Sequence, residues 1–173
     1  MSGSAQQAVR PTVYVAECVL GLGVFAGRNI AAGEEILQFT GPTITLAEAI
    51  ALGDKEANPL QIESAKYIDL EEPGVLLNHS CEPNAGIVRL RTLVALSDIK
   101  AGEEIRYDYS TTMDENRWMM VCRCGAKSCR GLVQDFRLLP TDVRANYLRC
   151  EVVQEFIARK YKVRPSRGPG CGN

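Results

Sequence analysis

A mainly β domain, followed by a short metal-holding segment and closed by a C-terminal helix, is the fold class this sequence predicts. Three observations carry that expectation. Residues 12–44 break into short β-prone runs separated by Gly21, Gly23, Gly27 and Gly33. Three cysteines, Cys122, Cys124 and Cys129, crowd into eight residues. Apolar residues recur at helical spacing over a long stretch only near the end, from Thr141 or Asp142 to about Tyr161.

The 173 residues suit one domain with a small appendage, long enough to bury a core without disulfide staples. Twenty basic residues against 21 acidic ones exclude a large electrostatic grip on nucleic acid, so no direct nucleic-acid binding is expected. A groove lined by acids, with Glu71, Glu72, Asp114 and Glu115 as candidates, could still take a basic peptide. No apolar run approaches a membrane span, and residues 1–10 lack the apolar stretch of a secretory signal. Cytoplasmic residence is therefore the default expectation, with a nuclear or host-targeted destination left open. The sequence does not speak to oligomeric state.

Taken in order, residues 1–11 read as a disordered N-terminus, and Val13, Tyr14 and Val15 open the first strand. The heptad Ile-Ala-Ala-Gly-Glu-Glu-Ile of residues 30–36 nearly recurs at 99–105 as Ile-Lys-Ala-Gly-Glu-Glu-Ile. In each copy Ala-Gly predicts a turn, with Ile36 or Ile105 entering the strand behind it. Residues 46–52 predict a short helix capped by Thr45. Residues 54–64, polar and holding Pro59, predict a loop. Residues 87–96 alternate as a half-buried strand should. The helix of residues 141–161 is expected to pack its apolar face on the domain, and residues 162–173 to be a disordered tail.

Three groups of residues carry chemistry. Seven cysteines, an odd number, argue against a closed disulfide framework, and the Cys122–Cys124–Cys129 cluster favours a metal in a reducing compartment. Zinc in a structural site takes four ligands, so a fourth must come from Cys18, Cys81, Cys150, Cys171 or His79. The run of residues 78–84, Asn-His-Ser-Cys-Glu-Pro-Asn, is too polar for a core strand. It holds His79, the only histidine, which alone makes no serine-histidine-acid nucleophile. Residues 102–109, Gly-Glu-Glu-Ile-Arg-Tyr-Asp-Tyr, place two tyrosines around an acid.

In this order these pieces resemble the SET-domain protein lysine methyltransferases. The resemblance runs from about Val13 to Gly131. Four segments carry it: Gly-Leu-Gly-Val-Phe-Ala at 21–26, the run at 78–84, Arg-Tyr-Asp-Tyr at 106–109, and the post-SET sequence Cys-Arg-Cys-Gly-Ala-Lys-Ser-Cys-Arg-Gly at 122–131. It implies several small twisted β-sheets and a pseudoknot where the Asn-His run meets the tyrosine segment, an exception to the rule against threaded chains. It divides the chain into a SET domain at 12–117, a post-SET zinc segment at 118–133 and a helical extension at 134–161.

The same resemblance implies that Gly21, Leu22, Gly23, Asn78, His79 and Tyr109 hold S-adenosylmethionine, Leu22 standing where family members often carry an aromatic residue. It implies Cys81 as the fourth zinc ligand beside Cys122, Cys124 and Cys129. Tyr109 falls at the catalytic tyrosine, Tyr107 at the Phe/Tyr position that sets how many methyl groups are added, and Tyr67 in the lysine channel. Mono- or dimethylation is expected. The expected partner is a lysine-containing protein or peptide, a histone among the candidates. The competing expectation is a zinc-stabilised SET fold that binds a partner without catalysis. The absence of a cysteine-rich cluster ahead of the domain and the short insert between Thr45 and Lys66 suggest a compact enzyme.

Overall fold

The computed structural model describes residues 11–161. The expected disordered segments, 1–11 but for Pro11 and 162–173, lie outside them. Twelve short strands and three helices follow in the order β1 (Val13–Cys18), β2 (Gly21–Ala26), β3 (Glu35–Gln38), β4 (Thr43–Thr45), α1 (Leu46–Ala51), β5 (Leu60–Glu63), β6 (Lys66–Ile68), β7 (Asn78–His79), β8 (Ala85–Val88), β9 (Thr92–Ala95), β10 (Arg106–Tyr107), β11 (Met120–Val121), β12 (Leu132–Val133), α2 (Thr141–Arg149) and α3 (Glu155–Tyr161). They form five small sheets: β1-β2, β3-β9-β8, β4-β6-β5, β11-β12, and the parallel pair β7-β10. None of the described helices is long and apolar enough to cross a membrane.

The two near-identical heptads face each other. Ile30 and Ile99 exchange both backbone hydrogen bonds at 2.8 Å. Behind each, a glycine turns with positive φ, +82° at Gly33 and +86° at Gly102, a conformation open to glycine at no steric cost. Ile36 and Ile105 then enter the main core with Val24, Phe39, Ile68, Leu77, Ile87 and Leu93. That core joins the inner faces of the first three sheets and backs the β7-β10 pair, while β11-β12 packs on the cysteine cluster. Helix α1 begins as expected: the Thr45 hydroxyl accepts from Glu48 N–H and the Glu48 carboxylate accepts from Thr45 N–H, a reciprocal cap.

Three expectations need correction. The loop of residues 54–64 contains strand β5, because Leu60 and Ile62 bury against the core while the backbone pairs with Tyr67 and Ile68 of β6. The single strand of residues 87–96 is a hairpin, β8-β9. It turns at Arg89 and Leu90, both with positive φ, and Gln154 Nε2 donates to Leu90 O at 3.0 Å to hold that turn. The C-terminal helix is two helices, broken where Glu151 takes φ +57° and Val152 and Val153 turn inward. Its first residue is Thr141 with Pro140 as the cap, and no side chain caps it. As expected, the apolar faces of α2 and α3 pack on the domain, with Tyr147, Ile157 and Phe136 closing over Val88 and Leu96.

Candidate functional site

The parallel pair β7-β10 places Asn78 beside Arg106 and His79 beside Tyr107, joining the two sequence-selected runs. Asn84 makes the junction rigid: its side chain donates to Glu104 O at 2.8 Å and accepts from Arg106 N–H at 2.9 Å, acting as a piece of strand. Two residues of pairing could not hold this arrangement alone. The segment meets β2 on the other side, where Glu104 bridges Phe25 and Ile105 N–H donates to Val24 O at 2.8 Å.

On this β2 side, Asn78 Nδ2 donates to Leu22 O at 3.0 Å and to Glu104 Oε1 at 2.9 Å, and reaches Cys18 Sγ at 3.4 Å. Those contacts fix the amide, and among the described residues nothing donates to its Oδ1. Gly23 lies against the same group. A Cβ there would stand 2.7 Å from Glu104 Oε1 and 3.1 Å from Asn78 Nδ2, so any larger residue would push the Glu104 carboxylate off its bond with Asn78. Leu22 is half exposed at the rim. Gly21, Leu22, Gly23 and Asn78 thus form one surface, with a spare acceptor and bare backbone suited to a polar small molecule.

Next to Leu77 and β10 lies a pocket of about 170 Å³ walled by Tyr67, Tyr107, Tyr109, Leu77, Trp118 and Glu115. Tyr109 links this pocket to the Asn-His run. Its hydroxyl donates to Leu77 O at 2.6 Å, its ring centroid is 4.9 Å from that of Tyr107 and 5.3 Å from that of His79, and its N–H donates to His79 Nδ1 at 3.3 Å. Burial, and then the charge of Glu104, raise the Tyr109 phenol above the ordinary tyrosine range; burial raises Tyr107 further, helped by Tyr109 and Asp108. Both are hydroxyls, not phenolates, at physiological pH. Tyr67 donates to Glu115 across the pocket mouth, and burial followed by that partner raises its phenol too. Of the four acids proposed for a peptide groove, Glu115 lines the pocket, Asp114 is taken by Lys160 at 2.5 Å, and Glu71 and Glu72 are exposed outside it.

The thiols gather behind the tyrosines. Cys81 and Cys122 Sγ are 3.7 Å apart, and the ligand atoms of Cys81, Cys122, Cys124 and His79 all lie within 4.8 Å of one another. Cys129, though exposed, is in hydrogen-bonding reach of Cys122 and Cys124. Zinc–thiolate bonds of about 2.3 Å at tetrahedral angles separate sulfurs by about 3.8 Å, so the spacing fits a tetrahedral metal. Backbone N–H groups point at the sulfurs as thiolates require: Arg130 at Cys81, and Cys81 and Ala126 at Cys124. Of the other candidates, Cys18 lies by Asn78 and Cys150 packs among the helices. Cys171 lies outside the described residues.

Beneath both centres is Asp108, which sequence reasoning left as a spacer between two tyrosines. Its fully buried carboxylate accepts from Arg130 Nη2 at 2.7 and 2.9 Å, from the Tyr147 hydroxyl at 2.8 Å and from Ser110 N–H at 3.1 Å. Arg130 comes from the cysteine segment and Tyr147 from α2, so one acid ties three parts of the chain together. The helical extension makes two more ties: Gln154 N–H donates to Thr111 O at 3.0 Å, and Lys160 and Tyr161 hold Asp114. No local signal in the sequence marks these partners, which are 22 and 39 residues away from Asp108.

Comparison with known proteins agrees with this geometry. The SET domain family model matches residues 21–110. The chain is 32% identical over 130 residues to histone-lysine N-methyltransferase ash1 of Drosophila melanogaster, covering 65% of this chain and 6% of that protein. It is 31% identical over 144 residues to the H3 lysine-4 specific histone-lysine N-methyltransferase of Saccharomyces cerevisiae, covering 72% and 13%. It spans 56% of the probable histone-lysine N-methyltransferase set-23 of Caenorhabditis elegans, at 29% identity over 140 residues and 66% of this chain. The chain therefore spans only a part of each of these relatives. The methyltransferase domain of human histone-lysine N-methyltransferase SETMAR shares the fold at a TM-score of 0.59 and 23% identity, over 71% of this chain and 58% of that one. By its family match, its mainly β architecture and the residues gathered at the β7-β10 junction, the chain belongs to the SET domain family.

Proposed function

We propose that this protein transfers methyl groups from S-adenosylmethionine to the ε-amine of a lysine in a protein substrate. One observation carries the reading: the β7-β10 junction joins the Gly23–Asn78 surface to the tyrosine-walled pocket through Tyr109, which lines the pocket and bonds Leu77 and His79, the two neighbours of Asn78. A donor on one face and an acceptor lysine on the other would meet at that tyrosine. Bound there, S-adenosylmethionine supplies a methyl group on a positively charged sulfur.

The protein's own contribution is placement and polarity. Asn78 and Gly23 hold the donor, with the main chain around His79. Lysine, with a reference pKa near 10.4, is neutral in only about one molecule in 2,500 at pH 7. The aromatic pocket disfavours the charged amine by excluding water and directs the neutral one along its axis. The Tyr109 hydroxyl donates its hydrogen bond to Leu77 O, which leaves its oxygen lone pairs free to face positive charge as the methyl passes. No covalent enzyme intermediate is required.

Among the described residues no protein group pairs with the Tyr107 hydroxyl, which lines the pocket. We assign it the space-filling, water-holding role that limits the product to mono- or dimethyl-lysine. Four thiolates, Cys81, Cys122, Cys124 and Cys129, form the zinc site. His79 serves as an outer partner: with Nδ1 accepting from Tyr109 N–H, its proton sits on Nε2, 3.4 Å from Cys81 Sγ, where it donates to the thiolate. The zinc then pins the 118–133 segment over the site, as a unit between the SET domain of residues 12–117 and the extension of residues 134–161. Histones are the first substrates to try, given the names of the relatives, and such a substrate places the enzyme in the nucleus. Intact-mass spectrometry of core histones incubated with enzyme and S-adenosylmethionine tests the reading: one or two methyl additions are expected, and rapid complete trimethylation contradicts the Tyr107 assignment.

A further inference from the structure

Glu104 stands where the donor surface and Tyr109 come together, and neither the glycine pair nor the Asn-His run includes it. Its main chain is fixed twice, by the bridge to Phe25 and by Asn84 Nδ2 on its carbonyl at 2.8 Å. Its carboxylate is aimed by those contacts: Oε1 accepts from Asn78 Nδ2 at 2.9 Å and lies under Gly23, 2.7 Å from where a Cβ would be. The side chain is 19% exposed. Its countercharge is loose. Arg106 Nε is 3.6 Å from Oε2, and the same guanidinium donates from Nη1 to Cys124 O at 3.0 Å. Asp108, buried beside the site, is neutralised by Arg130, and Glu115 in the pocket wall is bonded to Tyr67.

A hydrogen bond to Asn78 needs only an oxygen, which a neutral glutamine would provide. What a glutamate adds is negative charge, and that charge sits at the donor surface itself, with Oε1 bonded to Asn78 and lying against Gly23; in keeping with this it also helps, after burial, to raise the Tyr109 phenol. The donor and the spent product differ in charge at one atom: S-adenosylmethionine carries a sulfonium, and S-adenosylhomocysteine a neutral thioether with the same zwitterionic amino acid.

We propose that Glu104 is a specificity residue of the donor site, its carboxylate favouring the sulfonium donor over the neutral thioether product so that spent product leaves. The inference rests on the methyltransferase reading above. Partly buried charges a few ångströms apart interact strongly enough to shift such a preference by about tenfold.

Titration calorimetry on the zinc-loaded full chain tests it, with S-adenosylmethionine and S-adenosylhomocysteine as separate ligands. Glu104→Gln, which keeps the oxygen facing Asn78, is expected to weaken the donor about tenfold and the product less than about twofold. Equal weakening of both, or of neither, overturns the proposal and reduces Glu104 to a prop for Asn78. If Glu104→Gln does not fold, Arg106→Gln is read instead: removing the countercharge should raise the donor-to-product preference, and an unchanged or lower preference overturns the proposal. Wild-type protein that binds neither ligand overturns the methyltransferase reading and this inference with it. Wild-type binding of both, with a preference insensitive to Glu104, overturns this inference alone.

Discussion

Deleting the Tyr147 hydroxyl probes how the C-terminal helices brace the site. Asp108 is 1% exposed and accepts four hydrogen bonds, two from Arg130, one from Tyr147 and one from Ser110 N–H. Tyr147→Phe keeps the ring packed with Phe136 and Ile157 and removes one hydrogen bond to a charged acceptor, a loss of about 1.5–3 kcal/mol. At about 2–4 °C per kcal/mol for a chain of this size, a loss near 2 kcal/mol lowers the melting temperature by about 4–8 °C. Differential scanning calorimetry on zinc-loaded protein reads it. Asp108→Ala should cost more, about 3–5 kcal/mol, because Arg130, with a side chain 14% exposed, is left charged and without its partner. The two sites share one network, so Tyr147→Phe combined with Asp108→Asn should be non-additive by about 1 kcal/mol. A shift below about 1 °C for Tyr147→Phe, or strict additivity, refutes the brace.

Elemental analysis should find about one zinc per chain. Cys129→Ser should lose most of it while His79→Gln keeps it; the reverse pattern would make His79 the fourth ligand. The pH dependence of kcat/KM should rise about tenfold per unit from pH 7 towards 9, because the neutral fraction of a substrate lysine grows while Tyr107 and Tyr109, both raised by burial, stay protonated. A descending limb within that window would mean that a phenol titrates there and that the burial argument fails. Tyr107→Phe should move the product towards trimethyl-lysine by opening space and losing a water-holding hydroxyl, and an unchanged product distribution by mass spectrometry would place the limit elsewhere in the pocket.

What the sequence showed of the fold follows from how local each signal is. Thr45 and Glu48 are three residues apart and name their own helix start. The two Gly-Glu-Glu turns were legible one by one, yet their pairing through Ile30 and Ile99 is a contact across the chain that no window contains. The hairpin at Arg89 and Leu90 and the break at Glu151 were missed because positive φ falls on residues that carry no turn signal. There the tertiary structure pays the strain, through Gln154 on the Leu90 carbonyl and the burial of Val152 and Val153. Strand β5 was missed because Pro59 and polar neighbours outweighed the alternation of Leu60 and Ile62.

The site divides in the same way. Asn78, His79, Cys81, Tyr107 and Tyr109 stood out because motif residues come in short runs, and the structure brings those runs together. Glu104, Asn84 and Asp108 lay inside the selected runs but had no role of their own there, because their roles are defined by partners such as Asn78 and Arg106, 26 and 22 residues away, and Tyr147, 39 away. Spacing alone leaves both Cys129 and His79 as the last metal ligand; the hydrogen bond from Tyr109 N–H to His79 Nδ1, a contact across 30 residues, is what favours Cys129 in the proposed site.

The central claim is that the β7-β10 junction performs methyl transfer through Tyr109. Its most direct test is transfer of labelled methyl from S-adenosylmethionine to core histones and lysate proteins, with zinc-loaded wild type and Tyr109→Phe in parallel and their folding matched by calorimetry. The account predicts label on lysine with the wild type and a loss of at least about a hundredfold with Tyr109→Phe. Labelling that survives Tyr109→Phe undiminished would contradict it.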